Sequence, residues 1–206
     1  MAESKKQQDI RIVFKVGAFL AFIMLGYLGL RSYKQSVEKL KINQCTEEII
    51  ELVHNIHDVY NNQHDYGEFD YKVADKMKLY PRKMMRQGIL EPTNAYLGGV
   101  DVYYSSTYPD KNKSAFEVSF QGLSSMGCMA LFRLSELEEL GLIAVGAYAS
   151  STPSGVLDEV YIDTKQTDIK ANNIFVAKGA RYISDERAKQ ICGCSEDVCT
   201  VVWKFK

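Results

Sequence analysis

Apolar positions fall into three regimes along the chain. The first is an unbroken run: Val16 to Leu30 reads VGAFLAFIMLGYLGL, without a charge, and Ile12, Val13 and Phe14 extend it past the single interruption at Lys15. A helix needs about 20 apolar residues to cross a bilayer core, and a lysine near one end can reach the headgroups with its stem. The run predicts a transmembrane helix over 12–30. A cleaved secretory signal would carry a shorter apolar core ending in a small-residue site. Here the run leads into Gly29-Leu30-Arg31-Ser32-Tyr33 instead.

The second regime is a stripe. Ile42, Cys45, Ile49, Leu52, Val53, Ile56, Val59 and Tyr60 recur at steps of three and four, while Glu47, Glu48, Glu51, Asn55 and Asp58 read as lying off it. That is one face of an amphipathic helix. No proline precedes Pro81, and Gly17, Gly26 and Gly29 are the glycines of the first sixty residues. One helix is therefore expected from Arg11 to Tyr60, roughly 75 Å long at 1.5 Å per residue. It should end in the polar stretch Asn61–Gly67.

The third regime alternates. Val100–Ser105, Phe116–Gln121, Ile143–Ala149, Val156–Ile162 and Thr200–Phe205 read as strands, with a short apolar piece at Asn172–Ala177. Thr107–Ser114 reads as a loop. Helical spacing returns at Tyr71–Leu79 before Pro81, at Ser125–Leu140 before Gly141, and at Ser184–Ile191 behind an N-capping Ser184. The expected fold class is α+β: a long N-terminal helix, transmembrane in its first half, packed on a mainly antiparallel sheet. The expected division is a cytoplasmic tail or leader at 1–11, the span at 12–30, its amphipathic continuation at 31–62, and a head at 63–206.

Charge excludes one class of partner. With 25 basic and 26 acidic residues the chain has no basic surplus, so nucleic acid is not expected as a primary partner. Orientation is a tie by the positive-inside rule, since Lys5, Lys6, Arg11 and Lys15 precede the run and Arg31, Lys34, Lys39 and Lys41 follow it. The five cysteines break the tie. Cys192, Cys194 and Cys199 crowd the C-terminal end, Cys45 and Cys128 lie apart, and the three histidines (His54, His57, His64) are far away. Zinc sites favour spaced pairs or a Cys/His mixture, so disulfides are the better reading, with a metal-bound or reduced trio as the alternative. Disulfides place the head in an oxidising compartment such as the periplasm. Cys45 is then the odd one out.

Candidate chemistry is thin. His54 and His57 lie three apart without a third ligand, so they read as surface or interface histidines. Ser124-Ser125 and Ser150-Ser151 lack a nucleophile-elbow context. No glycine-rich loop has phosphate-binding spacing, and Glu138 and Glu139 point apart on a helix. No catalytic, metal or cofactor site is expected, and the chain is not read as an enzyme. Thirteen tyrosines, clustered from Tyr66 through Tyr71, Tyr80, Tyr96, Tyr103 and Tyr104 to Tyr108, suit either core filling or a subunit interface.

Several stretches taken in order resemble a known family. Val73 to Met84 (VADKMKLYPRKM) resembles a helix, Leu, apolar, Pro, x, x, Met element. Asn94-Ala95-Tyr96-Leu97-Gly98-Gly99-Val100 resembles an Asn, Ala, aromatic, Gly-Gly lead into a strand. Phe116–Gln121 followed by Gly127-Cys128-Met129-Ala130-Leu131 resembles a strand and a helix-opening cysteine, and Ala188–Cys192 resembles a second cysteine before a final strand. Together, over about 12–206, they resemble the type IV pilins, most closely the type IVb group of conjugative thin pili and some enteric pathogens. The resemblance implies a structural subunit, major or minor, of a type IV pilus or related secretion or conjugation apparatus. Its partners would be other pilin subunits or envelope machinery. It would assemble by packing of N-terminal helices, burying Phe14, Phe19, Leu20, Phe22, Ile23, Leu25, Leu28 and Leu30, with Gly26 and Gly29 permitting close approach. It implies a Cys128–Cys192 bridge, with Cys194 and Cys199 free to close a small ring; a Cys128–Cys194 pairing stays open. It implies a single-pass bacterial inner-membrane protein with a periplasmic head, reaching the surface once assembled. Type IV pilins are cleaved after a glycine and carry a glutamate five residues further on. The matching glycine is Gly17, before Ala18, but the fifth residue after it is Phe22, and no acid occurs between Ile10 and Glu38. The alternative is therefore an uncleaved bitopic protein whose pilin-like head is an adaptor of an envelope complex.

Overall fold

The computed structural model describes residues 2–61, 63, 65–105, 113–148, 174–176, 183–194 and 199–206, with the side chains of 2–18, 21 and 176 outside that set. Two compact units emerge, 1–40 and 41–206. A single helix, α1, runs Ala2–Tyr60. It ends where the apolar stripe gives way to Asn61, whose neighbourhood closes with a bond from Gln63 N–H to the Tyr60 carbonyl (2.9 Å).

In the first unit the described side chains from Phe19 to Leu30 are exposed. Among the described residues no helix is long and apolar enough to cross a membrane. Of the stretch 12–30 expected to span one, residues 12–18 and 21 have side chains outside the described set.

The second unit holds everything else. After α1 come α2 (Tyr71–Lys76), β1 (Val100–Ser105), β2 (Ala115–Leu123), α3 (Ser125–Leu131), a 3₁₀ turn at Glu136–Glu138, β3 (Leu142–Tyr148), β4 (Ile174–Val176), α4 (Asp185–Ile191) and β5 (Cys199–Phe205). The strands form one antiparallel sheet in the order β1-β2-β5-β3-β4. The α1 stripe Cys45, Ile49, Leu52, Val53 and Ile56 shares one core with the inward rows of the sheet: Phe116, Val118 and Phe120 on β2, Val201, Trp203 and Phe205 on β5, Val145 and Ala147 on β3. Register sets the aromatic contacts. Phe116 pairs with Phe205 and their rings stack at 5.2 Å; Phe120 meets Trp203 edge to face at 5.1 Å. Such pairs add about 0.5–1.5 kcal/mol beyond burial.

The strands alternate as the period of two requires, yet their second face is not a water face. Ser105, Glu117, Ser119, Thr200 and Lys204 all lie on it and are buried. Glu117 accepts a hydrogen bond from the Ser105 hydroxyl (3.0 Å), and Lys204 Nζ lies 3.9 Å from its Oε1. A buried charge persists only when it is paired in this way.

Two helices are shorter than their spacing predicts. The stretch Ser125–Leu140 forms α3 only to Leu131. Three-residue bonds then tighten the chain (Arg133 N–H to Ala130, Leu134 N–H to Leu131), and a separate turn starts at Ser135. The apolar steps Met129, Phe132, Leu134 and Leu137 include a step of two, which no single helical face accommodates. Helix α2 stops at Lys76 rather than Leu79. Lys78 N–H bonds the Asp75 carbonyl (2.9 Å) and Leu79 N–H the Ala74 carbonyl (3.0 Å), while Asn55 Nδ2 donates to the Leu79 carbonyl (2.8 Å). This is a Schellman closure, and its left-handed position is filled by Lys78 at φ 58°. The expected strand Val156–Ile162 lies outside the described residues, as do Ser150, Ser151, His64, Tyr108 and most of the loop Thr107–Ser114.

Candidate functional site

Three features of the described residues bear on function: the apolar half of α1, the cysteine frame, and the loop that links α2 to β1. On α1, Phe19, Leu20, Phe22, Ile23, Leu25, Leu28 and Leu30 are all exposed, Phe22 most of all at 81%. A Cβ added at Gly26 or Gly29 would meet nothing within 4 Å. Phe14, Gly17 and Ala18 lie on the same helix, with side chains outside the described set. A contiguous exposed apolar surface of this kind needs a lipid or protein partner.

The cysteines sort into two bridges and a thiol. Cys128, in α3, is bonded to Cys192, the residue capping α4, with their Cα atoms 5.8 Å apart. Cys194 is bonded to Cys199 at the start of β5, Cα to Cα 5.5 Å. The first bridge ties the two short helices across 64 residues of chain; the second pins the entry to β5. Cys45 is a free thiol, fully buried under the head, and burial pushes it up to about 12. It is an inert member of the core.

One side chain makes three of the bonds that hold the α2–β1 loop. Asn94, buried, donates from Nδ2 to the Gln121 carbonyl (2.7 Å) and accepts at Oδ1 from the N–H groups of Tyr96 (2.8 Å) and Gly98 (3.3 Å). A Cβ at Gly98 would overlap the Gln121 carbonyl oxygen, so only glycine lets the loop cross β2 there. Lys41 sits over the Tyr96 ring at 5.0 Å, and Arg86 Nη2 donates to the Asn94 carbonyl (3.4 Å).

Beneath this loop lies Glu48, which the stripe reading placed off the buried face. The structure corrects this: Glu48 is fully buried. Burial raises its carboxyl above the usual range, opposed by the hydrogen bond from Gln44 Nε2 (2.6 Å). The signal was present in the spacing, because 48 is three after Cys45 and four before Leu52. Its charge hid it. Asn55 is likewise half-buried and bonded to the loop. The pair Glu117–Lys204 was missed for a related reason: alternation assigns both to a solvent face.

The two histidines separate. His54 is exposed. His57 packs edge to face on Phe116 (5.5 Å), its Nε2 buried without a hydrogen-bond partner, and burial, with His54 next, lowers its basicity while Asp58 opposes. No group of metal-binding side chains occurs among the described residues. Of the tyrosines, Tyr80 is buried, Tyr71 is exposed, and Tyr66, Tyr96, Tyr103 and Tyr104 are half-buried.

A long N-terminal helix on a five-stranded antiparallel sheet is the pilin fold. The chain is similar to the type IV pilin TcpA of Vibrio cholerae El Tor biotype, with a TM-score of 0.55 at 12% identity over 81% of this chain and 99% of that one. The bundlin family model matches residues 35–180. The chain therefore belongs to the bundlin family, a family of type IV pilin-like structural subunits. No curated protein matches it.

Proposed function

We propose that the protein is a subunit, major or minor, of a type IV pilus of the type IVb kind or of a related secretion or conjugation apparatus, assembling through its N-terminal helix. The carrying observation is the exposed apolar surface of α1 from Phe19 to Leu30 on a chain of the bundlin family. Helices freed from lipid bury such a surface against one another, and van der Waals packing then replaces lipid contact. In this reading residues 1–11 are a cytoplasmic tail or leader, 12–30 the membrane segment, 31–62 the continuation of the helix, and 63–206 a periplasmic head exposed on the pilus after assembly. Gly17–Ala18 is the processing site.

A second reading is favoured by one observation: Phe22 stands where pilins place an acid, and no acid occurs between Ile10 and Glu38. In that reading the chain is an uncleaved single-pass inner-membrane protein whose head docks to an envelope complex. Intact mass of the protein from its native membrane separates the two. A mass beginning at Ala18, with one added methyl, is the outcome of pilin processing; a full-length mass overturns the fibre reading and supports the adaptor. In sheared surface fractions Leu25→Asp is expected to abolish incorporation while the head folds normally.

A further inference from the structure

Residues 71–86 carry six cations (Lys72, Lys76, Lys78, Arg82, Lys83, Arg86) and one acid, Asp75, in a chain whose net charge is −1. Lys83 is engaged by Glu47 at 2.6 Å. Lys78 and Arg82 have no ion-pair partner among the described residues, and both are exposed. They line one cavity of about 510 Å³ together with Asp75, Tyr80 and Met85. That volume falls within the range of small-ligand pockets, roughly 300–1,000 Å³.

The walls are fixed by backbone. The Schellman closure of α2 places Lys78, Pro81 opens a turn closed by Met84 N–H to the Pro81 carbonyl (2.9 Å), and Arg82 projects from that turn. The Asn55 bond to the Leu79 carbonyl ties the segment to α1. Lys78 itself is the second observation. Its position requires φ 58°, the site helices usually give to glycine. A lysine there costs conformational energy, and a strained position that keeps a charged side chain points toward a role for the charge.

We infer that this cavity binds a phosphate-bearing ligand. Arg82 supplies a planar fork and Lys78 a point charge, the two kinds of donor that phosphate oxygens accept from. Asp75, on the same wall, offsets one of the two positive charges. The Tyr80 ring and Met85 provide an apolar flank for the organic part of the ligand.

The test uses the full chain in non-ionic detergent, titrated calorimetrically with inorganic phosphate, with glycerol phosphate, and with short-chain phosphatidylglycerol against phosphatidylcholine. Saturable one-to-one binding is expected, weakened about tenfold or more by Arg82→Gln and by Lys78→Gly. Lys78→Gly should melt at or above the wild-type temperature, so loss of binding there is not loss of fold. Binding of the free phosphates assigns the pocket to a soluble ester, and binding of phosphatidylglycerol alone assigns it to a lipid headgroup. No binding by any probe overturns the inference. So does binding that Lys72→Gln and Lys76→Gln weaken as much as Arg82→Gln, since that marks a diffuse basic surface. A Lys78→Gly protein that melts lower removes the strain argument and overturns it as well.

Discussion

Single side chains carry much of the head's specificity, and Asn94 is the clearest case. Its three hydrogen bonds close the α2–β1 loop over β2 in a buried site. Replacing it by alanine strands the Gln121 carbonyl and two N–H groups, and unpaired buried groups cost about 1–3 kcal/mol each before relaxation. Asn94→Ala should lower unfolding free energy by about 2–3 kcal/mol in a denaturant titration, a range set by partial re-pairing with water. His57 sets a pH dependence. Its basicity is lowered in the folded head, chiefly by burial, so the neutral ring is the form the fold accepts. Its contribution is fully present above the ordinary value of 6.5 and is lost as pH falls below it. His57→Phe should flatten the melting temperature between neutral pH and pH 5 relative to wild type. Glu48 works in the opposite sense. Its carboxyl is raised by burial, so the stability it contributes is present below its unfolded value and lost as pH rises through the raised one. Glu48→Gln should therefore raise stability at neutral pH.

At the scale of elements, the order of helices and strands was legible because each obeys its own period. The α1 stripe, the alternating β1, β2, β3 and β5, and the cap at Ser184 all follow from local chemistry. What the periods do not encode is where a second layer of contact removes water. Glu48 on α1 and Glu117 and Lys204 on the sheet carry charge at positions that patterning assigns to solvent. Helix ends were misjudged where other bonds intervene: the Schellman closure at Lys78 stops α2 short of Leu79, and Asn55, from α1, bonds the Leu79 carbonyl beyond it. Of the candidate site residues, those on α1 could be read from hydropathy alone. The bridging of Cys128 to Cys192 depends on α3 and α4 lying side by side, which no spacing conveys. That bridge closes 64 residues of chain, and in the chain-entropy account it stabilises by about 4 kcal/mol, against about 2 kcal/mol for the short Cys194–Cys199 ring. Paired serine substitutions at each bridge should show that ranking in unfolding midpoints.

For the whole molecule, the division at residue 40 predicts independence. A protein comprising 41–206 contains the entire core, and it should unfold in one cooperative transition by circular dichroism while remaining dispersed without detergent. Multiphasic unfolding would count against a single core. The sheet order adds a constraint of another kind. Strand β5, last in the chain among the described strands, occupies the middle of the sheet between β2 and β3. Until synthesis has delivered Phe205, β2 and β3 have no common neighbour, and each presents an unpaired edge of the sort that invites pairing with other chains. The helix α1 is made before the strand that joins β2 to β3, so each molecule passes through a half-built sheet. Its survival depends on how fast the seven residues of β5 follow the strands they join, an interval in time rather than a surface in space.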